Sequence, residues 1–174
     1  MTTLYIIRHA WAGDHDARRF PDDSLRPLTD EGRRRFRRLV KKVIKRGFAP
    51  ALIATSPLVR CRQTAQIVAD VLDSVRSEER SGALMPIDRP ELAPGSDLAG
   101  IVAWTAAHAP AGSGDIAWVG HAPDVGDLTA ALIGGQAAAI DFSKGAIAAI
   151  AFEGPIAISP GTLQWLATAK LLNV

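Results

Sequence analysis

The sequence predicts an α/β fold, a three-layer αβα sandwich in which a mostly parallel central sheet carries helices on both faces. Two observations support this prediction. Short apolar runs that suit buried strands alternate along the chain with longer segments of helical periodicity, which is the order of βαβ units. Glycine and proline separate these segments, and no internal repeat or low-complexity linker interrupts them. The 174 residues are expected to form one domain, residues 1–174, with a proper hydrophobic core.

Six apolar runs have the length and composition of strands. The first runs directly into two polar residues, Arg8 and His9, and the last two are expected to form a hairpin. The predicted strands are residues 3–7, 51–55, 84–87, 116–119, 146–152 and 162–168.

Four segments have helical periodicity and recognisable ends. The second of them begins at Ser56-Pro57, because serine is a good N-cap and proline is favoured in the first turn. The predicted helices are a basic helix over residues 33–46 that ends at Gly47, a helix from Ser56, a helix over residues 98–109, and a helix that follows residues 120–123 and closes at Gly134-Gly135.

Composition narrows the classes of protein to consider. The hydrophobic fraction of 48%, the charged fraction of 22% and the net charge of +2 are ordinary for a globular domain. No apolar run approaches the roughly 18 residues of a membrane span, and the N-terminus does not resemble a signal peptide, so a cytoplasmic protein without a membrane partner is expected. Cys61 is the only cysteine, which excludes an internal disulfide and a thiolate zinc site. Its place on the inner face of a predicted helix suggests a buried, inert thiol.

The basic helix carries nine of the twenty lysines and arginines. Its apolar residues, among them Phe36, Leu39 and Val40, recur at the spacing of one helix face. This pattern predicts a core-facing helix with a solvated basic back. The aromatic residue of this segment, Phe36, belongs to the apolar face, so no aromatic side chain stands among the charges as a stacking platform and no nucleic-acid partner is expected.

Polar side chains gather where three predicted strands end. Arg8 and His9 follow the first strand, Ser56 follows the second with Arg60 one turn beyond it, and His121 follows the strand at 116–119. If these strands are parallel, the groups share one crevice at the carboxyl edge of the sheet. Two arginines there match the geometry of a phosphate, and buried cations without a counter-ion are costly. The sequence therefore predicts a phosphate site, in which a neutral imidazole is a competent nucleophile.

Four motifs in this order, "IIRHAWA", "RPLTDEG", "TSPLVRCRQTAQI" and "VGHAPDV", resemble those of the histidine phosphatase (phosphoglycerate-mutase-like) superfamily. With the C-terminal "FSKGAIAAIAFE", the resemblance spans essentially the whole chain and is strongest to the small single-domain phosphohistidine phosphatases. It implies a metal-independent phosphatase without a cofactor, which acts on a phosphorylated substrate. One departure is Ala10, which stands where the family has glycine; its methyl group is expected to narrow the pocket or shift the backbone.

The resemblance also implies residue roles. His9 would be the nucleophile that carries a transient phosphohistidine, Arg8 and Arg60 would bind the non-bridging oxygens, and His121 would complete the pocket. Arg26 would contact phosphate or substrate. The implied general acid is Glu91. Asp97 is the alternative acid, although it is expected to cap a helix instead. A third alternative is that no acid is required, because a phosphohistidine substrate has a good nitrogen leaving group.

The substrate is expected to be a phosphohistidine in another protein, because the chain between the second and fourth strands leaves little length for a lid over the crevice. A phosphatase of a small metabolite is the alternative. A non-catalytic module that binds phosphate or an acidic partner also stays open. Oligomeric state is not indicated.

A metallohydrolase is a further alternative. Its ligands would come from a set of histidine and aspartate residues, but it would leave Arg8 and Arg60 without a role. The set comprises His9, Asp14, His15, Asp16 and His121. Lys144 precedes a predicted strand and could reach the phosphate, but it is expected to be a turn residue.

Overall fold

A computed structural model describes residues 1–75, 83–109, 112–135 and 138–174. Six strands and four α-helices alternate in the predicted order. The strands are β1 (Thr2–Arg8), β2 (Leu52–Thr55), β3 (Ile87–Asp88), β4 (Ile116–Gly120), β5 (Ile147–Phe152) and β6 (Thr162–Ala167). The helices are α1 (Asp30–Ile44), α2 (Val59–Val75), α3 (Leu98–His108) and α4 (Asp124–Leu132), with short 3-10 helices at Asp23–Leu25 and Pro90–Leu92.

The six strands form one sheet in the order β3-β2-β4-β1-β5-β6. The first four are mutually parallel, β5 is antiparallel to β1, and β6 pairs antiparallel with β5 as the predicted hairpin. Five of the six strands therefore run in one direction, which confirms the mostly parallel sheet. The register aligns Arg8 with Gly120 and Thr55 with Val119, so β1, β2 and β4 end side by side.

Helices cover both faces of the sheet, which confirms the three-layer sandwich. Alternate residues of β1 divide between two hydrophobic clusters, as the two-residue period of a strand requires. Tyr5 and Ile7 pack with α1 and α2, whereas Leu4 and Ile6 pack with α3 and α4.

Helix α1 has the predicted amphipathic character. Phe36, Leu39 and Val40 are fully buried, while most of its basic side chains are exposed. The helix begins earlier than residue 33, because the Thr29 hydroxyl accepts the Gly32 N–H (3.0 Å) as an N-cap and places the acidic pair in the first turn, where the helix dipole favours it. Within the described ranges, no helix has the length and apolarity needed to span a membrane.

Two predicted boundaries are wrong for identifiable reasons. Helix α2 starts at Val59 rather than Ser56, because the Ser56 N–H is bonded to the Val119 carbonyl (2.9 Å) and continues the sheet. The strand predicted at 84–87 is instead β3, which pairs only with Ala54 and Thr55. Leu84 is buried, but its N–H binds the Asp73 carboxylate (3.0 Å) rather than a strand.

Candidate active site

The carboxyl ends of β1, β2 and β4 open into a crevice of about 430 Å³. Arg8 is the last residue of β1 and His9 follows it, while His121 directly follows β4. Arg60 lies in the first turn of α2. All four side chains line the crevice, so the parallel strands bring these sequence-predicted residues together.

The two arginines are anchored but incompletely bonded. Arg8 donates from Nη1 to the Phe142 carbonyl (2.5 Å), and Arg60 donates from Nη1 to the Asp23 carbonyl (2.8 Å). Among the described residues, the buried side-chain polar atoms without a hydrogen-bond partner are Nε of Arg8 and Nε of Arg60. Burial lowers the pKa of both guanidinium groups, although arginine stays protonated in proteins. The crevice therefore presents cationic donors that lack an acceptor.

The His9 side chain is held in one tautomer. Its Nδ1 lies 2.7 Å from the Ala10 carbonyl oxygen, which can only accept, so Nδ1 carries the proton and Nε2 keeps its lone pair. The backbone is fixed as well, since the His9 N–H binds the Gly120 carbonyl and the His9 carbonyl accepts the Gly145 N–H, each at 3.0 Å. Burial, and then the charges of Arg60 and Arg8, lower the pKa of His9 to about 4. The ring is therefore neutral and nucleophilic at neutral pH.

His121 faces His9 across the crevice, with 5.4 Å between the ring centroids. The Ser56 hydroxyl accepts the Leu58 N–H (3.4 Å) and is hydrogen-bonded to Nε2 of His121 (2.8 Å), which fixes the orientation of the ring. Burial, followed by the charges of Arg60 and His9, lowers the pKa of His121 to about 3. His121 is thus a neutral imidazole at neutral pH.

Cys61 is buried, as predicted, and its thiol completes the packing around His121. The Sγ atom lies 3.4 Å from Nε2 of His121 and 3.6 Å from the Gly120 carbonyl. Burial raises the pKa of this thiol to about 12, so it stays protonated.

Arg26 also lines the crevice and belongs to a network that the sequence did not reveal. Its Nε donates to the Asp23 carboxylate (2.7 Å) and its Nη1 to the Gly13 carbonyl (2.6 Å). The other carboxylate oxygen of Asp23 lies 3.1 Å from Nη1 of Arg60. Hydrogen bonding to Arg26 lowers the pKa of Asp23, so an ionised carboxylate bridges the two arginines. The sequence signal was the Asp22–Ser24 turn just before Arg26, in which Asp22 caps a 3-10 helix.

Glu91 is not among the residues that line the crevice. Its carboxylate accepts two hydrogen bonds from Arg89, which in turn lies over the Trp104 ring at 4.8 Å. The bond to Arg89 lowers the pKa of Glu91, which makes it a poor proton donor. Asp97 caps α3, where it accepts the Gly100 N–H (2.9 Å).

Three further charged residues line the crevice. Lys144 lies in a turn, as predicted, yet it reaches the cavity wall. Asp14 and Asp124 are the lining carboxylates, and Asp124 also accepts the Gly95 N–H (3.0 Å). The position of Asp124 in the first turn of α4, just beyond "GHAP", is the signal that could have indicated it.

Ala10 does not narrow the crevice. Its side chain is completely buried in the core cluster with Cys61 and Ala65, and it is absent from the cavity lining. The Ala10 N–H donates to the Thr64 hydroxyl (3.0 Å), which donates to the Arg60 carbonyl (2.7 Å). The alanine backbone therefore links the segment that follows β1 to the helix that carries Arg60.

The set of ligands imagined for a metallohydrolase is not assembled. In the part of the chain that the structure describes, no group of three or more His, Cys, Asp or Glu side chains could hold a metal ion.

Comparison with known proteins identifies the family of the chain. A sequence model of the histidine phosphatase superfamily (branch 1) matches residues 4–82, which include Arg8, His9 and Arg60. An uncharacterised protein of Picosynechococcus is 32% identical over 133 residues, which cover 76% of this chain and 74% of that protein. The chain belongs to the histidine phosphatase superfamily.

Other histidine phosphatases extend the match over the whole chain. Phosphohistidine phosphatase SixA of Escherichia coli is 28% identical over 162 residues, or 93% of this chain and 91% of SixA. The structure of SixA complexed with tungstate has a TM-score of 0.80 at 27% identity and covers 98% of this chain and 99% of that one. A mycobacterial glucosyl-3-phosphoglycerate phosphatase in complex with VO3 shares the fold, with a TM-score of 0.67 at 17% identity over 97% of this chain and 100% of that one.

Proposed function

We propose that this histidine phosphatase hydrolyses phosphohistidine in another protein, by transferring the phosphoryl group first to His9 and then to water. The observation that carries the proposal is the pair of buried, unpartnered Nε–H groups of Arg8 and Arg60 on one crevice. A buried donor without an acceptor costs about 1–3 kcal/mol. A phosphoryl group supplies the missing acceptors, and a guanidinium fork matches its geometry.

In the first step, Nε2 of His9 attacks phosphorus while the bond between phosphorus and the substrate's imidazole nitrogen breaks. The departing nitrogen takes its proton from solvent. Arg8, Arg60 and His121 donate to the non-bridging oxygens and stabilise the charge that spreads over them in a loose transition state. His9 needs no base, because its depressed pKa leaves it neutral.

In the second step, water attacks phosphorus of the phosphorylated His9. The bond between phosphorus and Nε2 breaks, the electron pair returns to the ring, and inorganic phosphate leaves. Neither step requires Glu91, since an imidazole departs readily from phosphorus once protonated. The placement of Glu91 against Arg89 is consistent with this.

A protein substrate is supported by two features. The relative that is similar over 93% of the chain is named for phosphohistidine, whereas the metabolite phosphatase shares only the fold. In addition, the described residues between Ser56 and β4 lie mostly in α2, β3, the short helix at Pro90–Leu92 and α3. From the described part of this stretch, Pro94 and Gly95 line the crevice, where Gly95 is bonded to Asp124. We infer that the crevice stays open enough for an imidazole on another protein's surface to reach His9.

The test compares kcat/KM on a phosphohistidine protein with kcat/KM on a panel of phosphorylated metabolites that includes 3-phosphoglycerate. We expect the protein to be preferred by more than about tenfold, which corresponds to about 1.4 kcal/mol of transition-state discrimination. The reverse preference would assign the site to metabolite hydrolysis. Activity indistinguishable from that of the His9→Ala variant on every substrate would indicate a binding module.

A further inference from the structure

A second groove, of about 450 Å³, lies beside the crevice. It runs between the first turn of α4 and the segment at 139–142. Ala122 and Pro123 line both cavities, so the second groove is the immediate neighbour of the crevice. We call it the side groove.

One wall of the side groove contacts an arginine of the crevice. The Phe142 carbonyl that anchors Arg8 belongs to the outer wall. The two walls meet at Gly126, where a Cβ atom would lie only 2.4 Å from the Ile140 carbonyl oxygen. A side chain at this position would push the segment at 139–142 away from α4. Glycine thus permits the close contact that holds the outer wall beside Arg8.

The chemistry of the side groove is opposite to that of the crevice. Its surface is mainly apolar, with contributions from Pro123, Ile140 and Phe142, and its charged groups are the exposed carboxylates of Asp127 and Asp141. None of the described residues that line it is a cation. The crevice, in contrast, gathers arginines around the nucleophile. A molecule that occupies both must be anionic at one end and apolar with a positive charge at the other.

We propose that the side groove binds the residues that flank the phosphohistidine in the protein substrate, and that it selects an apolar side chain next to a lysine or arginine. The proposal rests on the proposed function, because a peptide extends from the phosphorylated residue and a small metabolite does not. The apolar side chain gains by leaving water, and the cation gains by facing Asp127 and Asp141. These carboxylates also repel acidic flanking residues, so the side groove discriminates between substrates by repulsion as well as by attraction.

The experiment uses phosphohistidine peptides of equal length whose flanking pair is Leu-Lys, Leu-Glu, Gly-Lys or Gly-Glu, placed before the phosphohistidine in one set and after it in another. The readout is the ratio of kcat/KM for Leu-Lys to that for Leu-Glu, measured separately in each protein. It is measured in the unmodified protein and in the Asp127→Asn, Asp141→Asn and Glu153→Gln variants. Glu153 serves as the control. It is an exposed carboxylate that directly follows β5, at the end of the strands opposite the crevice, where Phe152 pairs with Thr2 at the start of β1.

We expect the unmodified protein to prefer Leu-Lys by at least about threefold in one of the two sets, consistent with the strength of solvent-accessible ion pairs. The ratio should approach one in Asp127→Asn and Asp141→Asn, stay unchanged in Glu153→Gln, and shrink at high salt. Peptides that are all hydrolysed at similar rates would overturn the side groove as a subsite but leave the proposed function intact. Peptides that are hydrolysed no faster than by His9→Ala, while aryl phosphates are turned over, would overturn the protein substrate itself.

Discussion

Two regions of the molecule concentrate positive charge, and they hold it in opposite ways. In the crevice, Arg60 is 5% exposed and the Nε–H of both Arg8 and Arg60 lacks a partner. Along α1, Arg34 and Arg38 are exposed to water, which satisfies their charge at little cost. Helix α1 therefore carries more charge in the sequence than the crevice does, but its charges cost less electrostatic free energy because water solvates them. Burial of charge, rather than its density, marks the site.

Part of the charge on α1 has a structural role instead. Arg35 lies over the Trp11 ring at 4.3 Å and donates to the Val174 carbonyl (2.9 Å). Lys42 donates to the Leu172 carbonyl (2.5 Å). These contacts attach the C-terminal residues to the basic face of α1, which is free for them because the apolar face of the helix packs on the core.

The largest contrast is expected between histidines inside and outside the crevice. His9→Ala removes the proposed nucleophile and should lower kcat/KM on an aryl phosphate by at least about 10³-fold, with the fold retained by circular dichroism. His108→Ala is the matched control, because His108 binds the Trp104 carbonyl (2.8 Å) on α3 and does not line the crevice. Similar losses in both variants would mean that the effect is structural.

Arginine-to-lysine substitutions test the buried cations against an exposed one. Arg60→Lys keeps the charge but loses the planar fork, so kcat/KM should fall at least about tenfold, or 1.4 kcal/mol. Arg62→Lys is the control two residues along α2, where Arg62 pairs with Asp88 and its side chain is 52% exposed. Near-normal kinetics in Arg60→Lys would contradict a bidentate role.

As the pH falls, protonation of the crevice histidines should lower the free energy of unfolding before acid has any effect through α1. The folded-state pKa values of His9 and His121, about 4 and about 3, lie below the unfolded value of roughly 6.5. Between these values the unfolded chain binds more protons. The free energy of unfolding should therefore fall as pH is lowered from 6.5, by at most about 1.4 kcal/mol per pH unit for each histidine.

Urea unfolding at pH 7.5, 6.5 and 5.5 measures this slope above the range in which most carboxylates titrate. The slope should be reduced in His9→Asn and retained in His108→Asn. A free energy of unfolding that is constant or rises between pH 6.5 and 5.5 would contradict the buried neutral histidines.

The smallest effect is expected on α1. Arg38→Gln should change kcat/KM on an aryl phosphate by less than about twofold and the free energy of unfolding by less than about 0.5 kcal/mol, because the side chain is exposed. Steady-state kinetics and urea unfolding check both values. A large loss of activity would show that the basic helix contributes to the crevice.

Much of the fold and the centre of the site could be predicted from sequence, because both depend on where buried strands end. The apolar run before Arg8 and the one before His121 show where two strands end, and parallel pairing places these ends side by side. The polar residues at those ends could then be grouped without knowing any side-chain contact.

The periphery of the site could not be predicted in this way. Asp23 and Glu91 lie in irregular segments with short 3-10 helices, where no hydrophobic period fixes the direction of a side chain. Their directions are set by charged partners: Asp23 turns toward Arg26, three residues along the chain, and toward the distant Arg60, whereas Glu91 turns toward Arg89, two residues before it. The sequence position of a loop carboxylate therefore does not by itself predict which groups the carboxylate contacts.

The most direct test of the central claim is to trap and locate the phosphoryl group on the enzyme. Brief reaction with excess substrate, an alkaline quench and mass spectrometry should find one acid-labile, alkali-stable phosphate on His9. Because Nδ1 of His9 is bonded to the Ala10 carbonyl, ³¹P NMR should assign it to Nε2. The adduct should be absent from His9→Ala and present in His108→Ala. An acid-stable adduct, phosphate attached to Nδ1, or labelling that persists in His9→Ala would contradict the account.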